Sequence, residues 1–241
     1  MGKRKKIILI IVSFLILTGL VVSLFFINNS FDDYYLDIEI EQNNNVNNPI
    51  NYEEVIDKLK DKYDNDDVIG ILEINNADYV VPIMQGEDND YYLNHTPNGK
   101  KNFMGSIYLD YRVDIDSSKK LLIYGHNSSR VDMPFKILEE FYDKDYYDNH
   151  KYVEITTSNV KKRYEIFSVH VETSDFSYMN INFENEKEYL NHLKTLKSRS
   201  IYDTGVEVSS DDEVLILQTC STHSDYRNYS KKFLLIVLRR V

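Results

Sequence analysis

Cys220 is the only cysteine of the 241-residue sequence, and it follows shortly after an apolar run, 214–217, that is typical of a buried strand. A single thiol cannot form an internal disulfide. Free cysteine is among the most buried residue types, so this stretch alone favours a structural core position. Strand ends, however, are where protein scaffolds commonly present reactive groups. Cys220 is therefore a candidate nucleophile whose interpretation depends on the rest of the chain.

A cysteine nucleophile needs a base or a cationic partner that favours the thiolate, and histidine is the usual one. His126 follows the run 120–125, which is typical of a buried strand ending in glycine. It therefore occupies a strand end, as Cys220 does. His223 lies only three residues after Cys220 and is the rival candidate, although its Ser/Thr/Asp loop favours a solvated ring. His150 and His192 are expected at the surface, beside or on helices.

Acyl transfer also requires a group that stabilises an oxyanion, either backbone N–H groups or a positioned cation. The loop after Cys220 offers Arg227, Lys231 and Lys232 before the next apolar run. Lys231 is interpreted as a surface charge beside a strand. Arg227 and Lys232 both stay open as the cation of the site.

Composition and motif searches exclude several other classes of protein. The formal net charge is −11 even though residues 3–6 are all basic, and so acidic a chain argues against a nucleic-acid partner. No Gly-rich phosphate loop and no Cys/His metal spacing occurs, and the acidic clusters lack EF-hand spacing. We expect no cofactor and no metal ion.

Residues 7–27 contain no charged side chain and are long enough to cross a hydrocarbon core of about 30 Å. Lys and Arg precede this stretch and Asp32 and Asp33 follow it, so the positive-inside rule predicts a cytoplasmic N-terminus. No small-residue cleavage site follows, which favours an uncleaved anchor over a signal peptide. The prediction is a single-pass protein of the cell membrane with its main domain outside.

The remainder divides into a polar linker and one domain. We predict a basic N-terminus at 1–6, the anchor at 7–27, an extracytoplasmic linker at 28–51 and the catalytic domain at 52–241. Apolar spacing predicts helices at 52–63, 134–142 and 184–199. Eight short apolar runs separated by polar turns predict a β-barrel or a β-sandwich. These runs are 68–74, 79–84, 104–109, 120–124, 152–156, 164–171, 214–219 and 233–238.

With the anchor, Tyr-Gly-His-Asn at 124–127 and Leu-Gln-Thr-Cys at 217–220, the sequence resembles a class B sortase. The resemblance spans about 52–241 and includes the segments 69–74, 81–89 and 105–110. It implies a mainly β fold, an eight-stranded barrel with added N-terminal helices and a helix before the cysteine-bearing strand. Residues 184–199 fit that last helix.

The resemblance also implies the chemistry. Cys220 would attack the Thr carbonyl of a C-terminal sorting pentapeptide in a secreted protein and form a thioester. His126 would protonate the leaving amine and then deprotonate an amine of a peptidoglycan precursor. The third residue of the family is an arginine, usually just before the last strand, where this sequence has Lys231 and Lys232. We assign the role to Arg227, with Lys232 as the substitute, although lysine lacks the planar guanidinium fork.

The predicted function is thus a membrane-anchored cysteine transpeptidase. Its predicted partners are secreted proteins with the sorting pentapeptide, the peptidoglycan amine and the membrane around residues 7–27, but no nucleic acid. Two alternatives stay open. One is a catalytically weak or silent domain that binds cell-wall peptides, and the other is a cysteine hydrolase that uses water instead of an amine.

Overall fold

The structure is a computed structural model and describes residues 51–241. The predicted basic N-terminus, the anchor at 7–27 and nearly all of the linker at 28–51 lie outside the described residues. Within 51–241, every helix is too short or too polar to span a bilayer.

Eight strands form one closed barrel in the order β1-β2-β3-β4-β7-β8-β6-β5. Closure pairs both edges of every strand, which removes the exposed edges on which sheets aggregate. The prediction of a mainly β, eight-stranded barrel is confirmed. The strands are β1 Val68–Ile74, β2 Val80–Met84, β3 Tyr108–Leu109, β4 Lys120–Tyr124, β5 Tyr152–Thr156, β6 Lys161–Glu172, β7 Val214–Cys220 and β8 Phe233–Arg240.

Both faces of the barrel wall are covered at β4, β7 and β8, which explains why these strands are nearly continuous apolar runs rather than alternating ones. Successive residues of a strand point to opposite sides. On β4, Ile123 belongs to the cluster inside the barrel, and its neighbour Leu122 belongs to the cluster outside. Leu217 and Ile216 of β7 divide in the same way.

Two α-helices cover the outer cluster at the predicted places. The helix α1, Tyr52–Tyr63, begins after Asn51, whose side chain accepts a hydrogen bond from the Glu54 N–H. The helix that precedes the cysteine-bearing strand is Glu186–Ser198, where 184–199 was expected. Both helices bury an apolar stripe in the outer cluster: Ile56, Leu59 and Tyr63 in the first, and Tyr189, Leu193 and Leu196 in the second.

The predicted helix at 134–142 is instead a 3₁₀ helix, Lys136–Tyr142, followed by a short α-helix, α2, Lys144–Asn149. The sequence pattern did not predict α2. Asp143 separates the two helices and caps α2 with its side chain. The longer helix Glu186–Ser198 is α3.

Candidate active site

The strands β4 and β7 are parallel neighbours, and their register determines the geometry of the site. Tyr124 pairs with Gln218, so His126 and Cys220 each lie two residues beyond the same rung of the ladder. The pairing continues past this rung, because the Gly125 N–H donates to the Gln218 carbonyl at 3.2 Å. The structure therefore brings the two predicted strand ends together.

Two side-chain hydrogen bonds connect the strand ends beyond the ladder. The Thr219 hydroxyl donates to the Gly125 carbonyl at 2.8 Å, and the Asn127 amide donates to the Cys220 carbonyl at 2.9 Å. Phe135 packs against Gly125, where an added Cβ would lie 2.6 Å from the ring. A larger residue at this position would force the Phe135 ring and the end of the Ile107 side chain to move, which favours glycine between Tyr124 and His126.

His126 is partly buried, and its Nε2 lies 2.7 Å from the carbonyl oxygen of Leu93. A carbonyl can only accept a hydrogen bond, so Nε2 carries the hydrogen. Nδ1 is then the nitrogen that can take up a proton. Leu93 ends a 3₁₀ turn, Tyr91–Leu93, so a backbone group of a separate segment orients the imidazole.

Cys220 is exposed at the end of β7, as a nucleophile must be. Desolvation by the surrounding protein raises the pKa of its thiol, whereas the positive charge of Lys232 lowers it. Burial has the larger effect, and the thiol pKa is raised overall. A thiolate at Cys220 therefore depends on a nearby cation or proton acceptor.

The peptide N–H groups that follow Cys220 are already engaged within the protein. The Ser221 N–H donates to the Lys232 carbonyl at 2.9 Å, and the Thr222 N–H donates to the Glu139 carboxylate at 2.5 Å. The His223 N–H donates to the Ser221 hydroxyl oxygen at 3.2 Å. These three donors are thus not free to stabilise an oxyanion, which increases the importance of a side-chain cation.

The two candidate cations differ in their surroundings. Arg227 is exposed at the end of a 3₁₀ turn, Ser224–Tyr226, and its guanidinium has no hydrogen bond or ion pair to any other residue of 51–241. Lys232 is partly buried beside β8, and its charge acts on the Cys220 thiol. The assignment of Arg227 stays a prediction, and Lys232 is the cation whose charge acts on the thiol.

The other histidines have structural partners. The His223 ring packs against Tyr142, with ring centres 4.6 Å apart, rather than standing free in solvent. His192, expected at the surface, is partly buried and lies 2.9 Å from the Lys120 ammonium. Burial and the Lys120 charge lower the His192 pKa to about 3, so the ring is neutral and accepts this hydrogen bond.

Sequence patterns missed Glu139 and Tyr142, whose side chains contact the loop after Cys220. Glu139 accepts hydrogen bonds from Thr222, and the Tyr142 hydroxyl is 2.7 Å from that of Ser221. In the sequence both residues belong to an ordinary amphipathic stretch. Across the described part of the chain, no cluster of three or more His, Cys, Asp or Glu side chains is arranged to hold a metal ion.

The resemblance to sortases implies an eight-stranded barrel with Cys220 and His126 in one site, and the structure has a closed barrel in which these residues follow parallel neighbouring strands. The chain matches no family model. It is 36% identical over 175 residues to sortase B of Listeria monocytogenes, covering 72% of this chain and 71% of that protein. The chain belongs to the sortase B family, whose members are cysteine transpeptidases.

Solved structures agree with this assignment. A cysteine-to-serine mutant form of Clostridium perfringens sortase B has 28% sequence identity and a TM-score of 0.69, covering 78% of this chain and 87% of that one. The Staphylococcus aureus sortase B–substrate complex has 25% identity and a TM-score of 0.70, covering 78% of this chain and 85% of that one.

Proposed function

We propose that this sortase cleaves a C-terminal sorting signal of secreted proteins through a thioester at Cys220 and transfers the acyl group to an amine of the cell wall. The observation that carries the proposal is the parallel register of β4 and β7, which places His126 and Cys220 two residues beyond one rung. The existence of a sortase B–substrate complex with the same fold supports the choice of substrate class.

In the first half of the reaction, the Cys220 thiolate attacks the scissile carbonyl and the C–N bond breaks. Protonated His126 donates its proton to the leaving amine, so the products are a thioester and a neutral amine. In the second half, neutral His126 takes a proton from the incoming amine as that amine attacks the thioester. The thiolate leaves, and enzyme and imidazolium return to their starting state.

We assign the stabilisation of the thiolate to Lys232, because its charge is the one that lowers the Cys220 pKa. Arg227, which the resemblance favours, would have to turn its exposed side chain toward Cys220 when substrate binds. Either cation would also lower the energy of the oxyanion in the tetrahedral intermediate.

We also propose that residues 7–27 anchor the enzyme in the cell membrane, with 1–6 in the cytoplasm and the barrel outside. The uncharged stretch of suitable length and the basic residues before it support this topology. Protease treatment of intact cells tests it, because only an extracytoplasmic barrel is accessible to the protease.

The catalytic proposal is tested with the full chain and a library of C-terminal sorting peptides, with and without hydroxylamine as acceptor. We expect cleavage, an acyl adduct on Cys220 by mass spectrometry, and a hydroxamate product when hydroxylamine is present. Cys220→Ala should show none of these, and a Cys220→Ala variant that still cleaves would refute the assignment.

The same experiment separates the alternatives. A binding domain would bind peptides without an adduct on Cys220. A hydrolase would release the free acid whether or not the amine is present, so free acid as the only product in the presence of hydroxylamine would exclude a transferase.

A further inference from the structure

The segment 135–142 contacts both halves of the site. At its beginning, the Phe135 N–H donates to the His126 carbonyl at 3.1 Å, and the Phe135 ring packs on Gly125. Four and seven residues later, Glu139 and Tyr142 reach the loop that follows Cys220. The segment is itself fixed, because Phe135, Leu138 and Phe141 are fully buried in one hydrophobic cluster with residues of the barrel strands.

Glu139 holds the loop at two points. Its two carboxylate oxygens accept hydrogen bonds from the Thr222 N–H and from the Thr222 hydroxyl, each at 2.5 Å. No lysine, arginine or histidine among residues 51–241 forms an ion pair with this carboxylate, so Thr222 is its principal partner. Hydrogen bonds to an ionised acceptor are the strong ones, and two of them define an orientation as well as a distance.

Tyr142 holds the preceding residue. Its hydroxyl shares a 2.7 Å hydrogen bond with the hydroxyl of Ser221, which is fully buried. Burial raises the Tyr142 pKa to about 12, so the hydroxyl stays neutral over the whole range in which an enzyme works. The Tyr142 ring also packs against His223.

These contacts matter because the sheet ends here. The last pair of the β7–β8 ladder is Cys220 with Phe233, and most residues from 224 to 231 are exposed. Beyond the ladder, one backbone hydrogen bond from Ser221 to Lys232 continues the pairing, and the side-chain contacts to the loop come from Glu139 and Tyr142 of the 3₁₀ helix. A thiol on a loosely held strand end would lose its alignment with the histidine.

We propose that Glu139 and Tyr142 are positioning residues of the sortase reaction, which hold the turn 221–223 and thereby align the Cys220 thiol with His126. The inference rests on the proposed function. Neither side chain exchanges a proton with substrate. Misplacement of a reacting group by about 1 Å can cost roughly 100-fold in rate, so modest loosening of this turn has a measurable effect.

The test compares Glu139→Ala with Glu140→Ala, which makes the same charge change at an exposed neighbour. With the full chain, kcat and KM are measured for peptide cleavage well below the unfolding temperature of each variant. We expect Glu139→Ala to lower kcat by about 10- to 100-fold with KM within about twofold, and Glu140→Ala to match the wild type. Glu139→Gln keeps one acceptor oxygen and should recover much of the lost rate.

Two more variants, Thr222→Val alone and Thr222→Val combined with Glu139→Ala, distinguish loss of this contact from general misfolding. Thr222→Val keeps the N–H but removes the hydroxyl, so it should lower kcat by less than Glu139→Ala. Adding Thr222→Val to Glu139→Ala should cost little more, because both changes break the same contact. The proposal would be overturned if the reductions of kcat in the two single variants multiplied in the double variant. An unchanged kcat in Glu139→Ala would also overturn it. A wild-type chain without cleavage activity would instead refute the proposed function and this inference with it.

Discussion

Gly105→Ala is the substitution for which the structure gives the clearest energetic expectation. Gly105 has a φ of +62°, and an added Cβ would lie 2.6 Å from the carbonyl oxygens of both Tyr92 and Leu93. The Leu93 oxygen is the acceptor that orients His126, and the Tyr92 oxygen accepts the Ser106 N–H at 2.8 Å. The methyl group therefore meets two backbone groups that are already in use.

The magnitude combines three effects. A left-handed conformation costs alanine roughly 1–2 kcal/mol. The overlap with two carbonyl oxygens adds about 1–3 kcal/mol, as overpacking does elsewhere in protein interiors. The smaller conformational freedom of alanine in the unfolded chain offsets about 0.4–1 kcal/mol. We expect a net loss of about 2–4 kcal/mol in the free energy of unfolding.

Gly205→Ala is the matched control. Gly205 has a φ of +71°, but an added Cβ would have no atom within 4 Å. It therefore lacks the overlap, and its expected loss is about 1 kcal/mol or less. Urea denaturation of both variants under one set of conditions measures the difference.

The second readout is peptide cleavage. We expect Gly105→Ala to lower kcat, because displacement of the Leu93 carbonyl releases the His126 ring, and Gly205→Ala to leave kcat unchanged. Equal losses of stability in the two variants would refute the steric argument. A normal kcat in a strongly destabilised Gly105→Ala variant would refute the role assigned to the Leu93 carbonyl.

Two further predictions concern pH. Lys232→Ala removes the charge that lowers the Cys220 thiol pKa, so the pH profile of Cys220 alkylation by iodoacetamide should shift to higher pH. Arg227→Ala should leave this pH profile unchanged. The opposite pattern would assign the cation of the site to Arg227. Burial lowers the pKa of His170 to about 4 from 6.5, so the unfolded chain binds a proton between these values that the folded chain does not. Its contribution to stability is present above pH 6.5 and falls by about 3 kcal/mol as the pH drops to 4. Urea denaturation should therefore show a shallower acid decline for His170→Gln, and parallel curves would contradict this.

The strands were predictable where local pattern and tertiary structure agree. β1, β4 and β5 match their predicted bounds because each is a short stretch of mostly apolar or β-branched residues between polar turns. The run 104–109 forms only the two-residue strand β3, because Gly105 adopts a left-handed conformation and packs closely against the carbonyl groups of Tyr92 and Leu93. That close approach is a tertiary contact, and the sequence pattern contains no sign of it.

Some residues of the site were predictable from the sequence pattern and others were not. Cys220 and His126 were recognisable because each follows an apolar run and is itself followed by a polar loop. The Leu93 carbonyl was not, since a backbone group has no side-chain signature. Glu139 stands beside Glu140 in a stretch whose charged residues resemble a solvated helix face. Only the packing of that stretch against the loop after Cys220 distinguishes the two.

The strand order also has a consequence for folding kinetics. Gly125 and Thr219, whose hydrogen bond joins the two strand ends, are 94 residues apart in the chain. Contacts of such high sequence separation form slowly, because loop-closure entropy is lost before they contribute any energy. In the barrel, the β7–β8 hairpin fills the space between β4 and β6, which the preceding six strands leave open. A partly folded chain therefore carries an unaligned thiol, and reactivity toward an acyl donor reports on completion of the barrel.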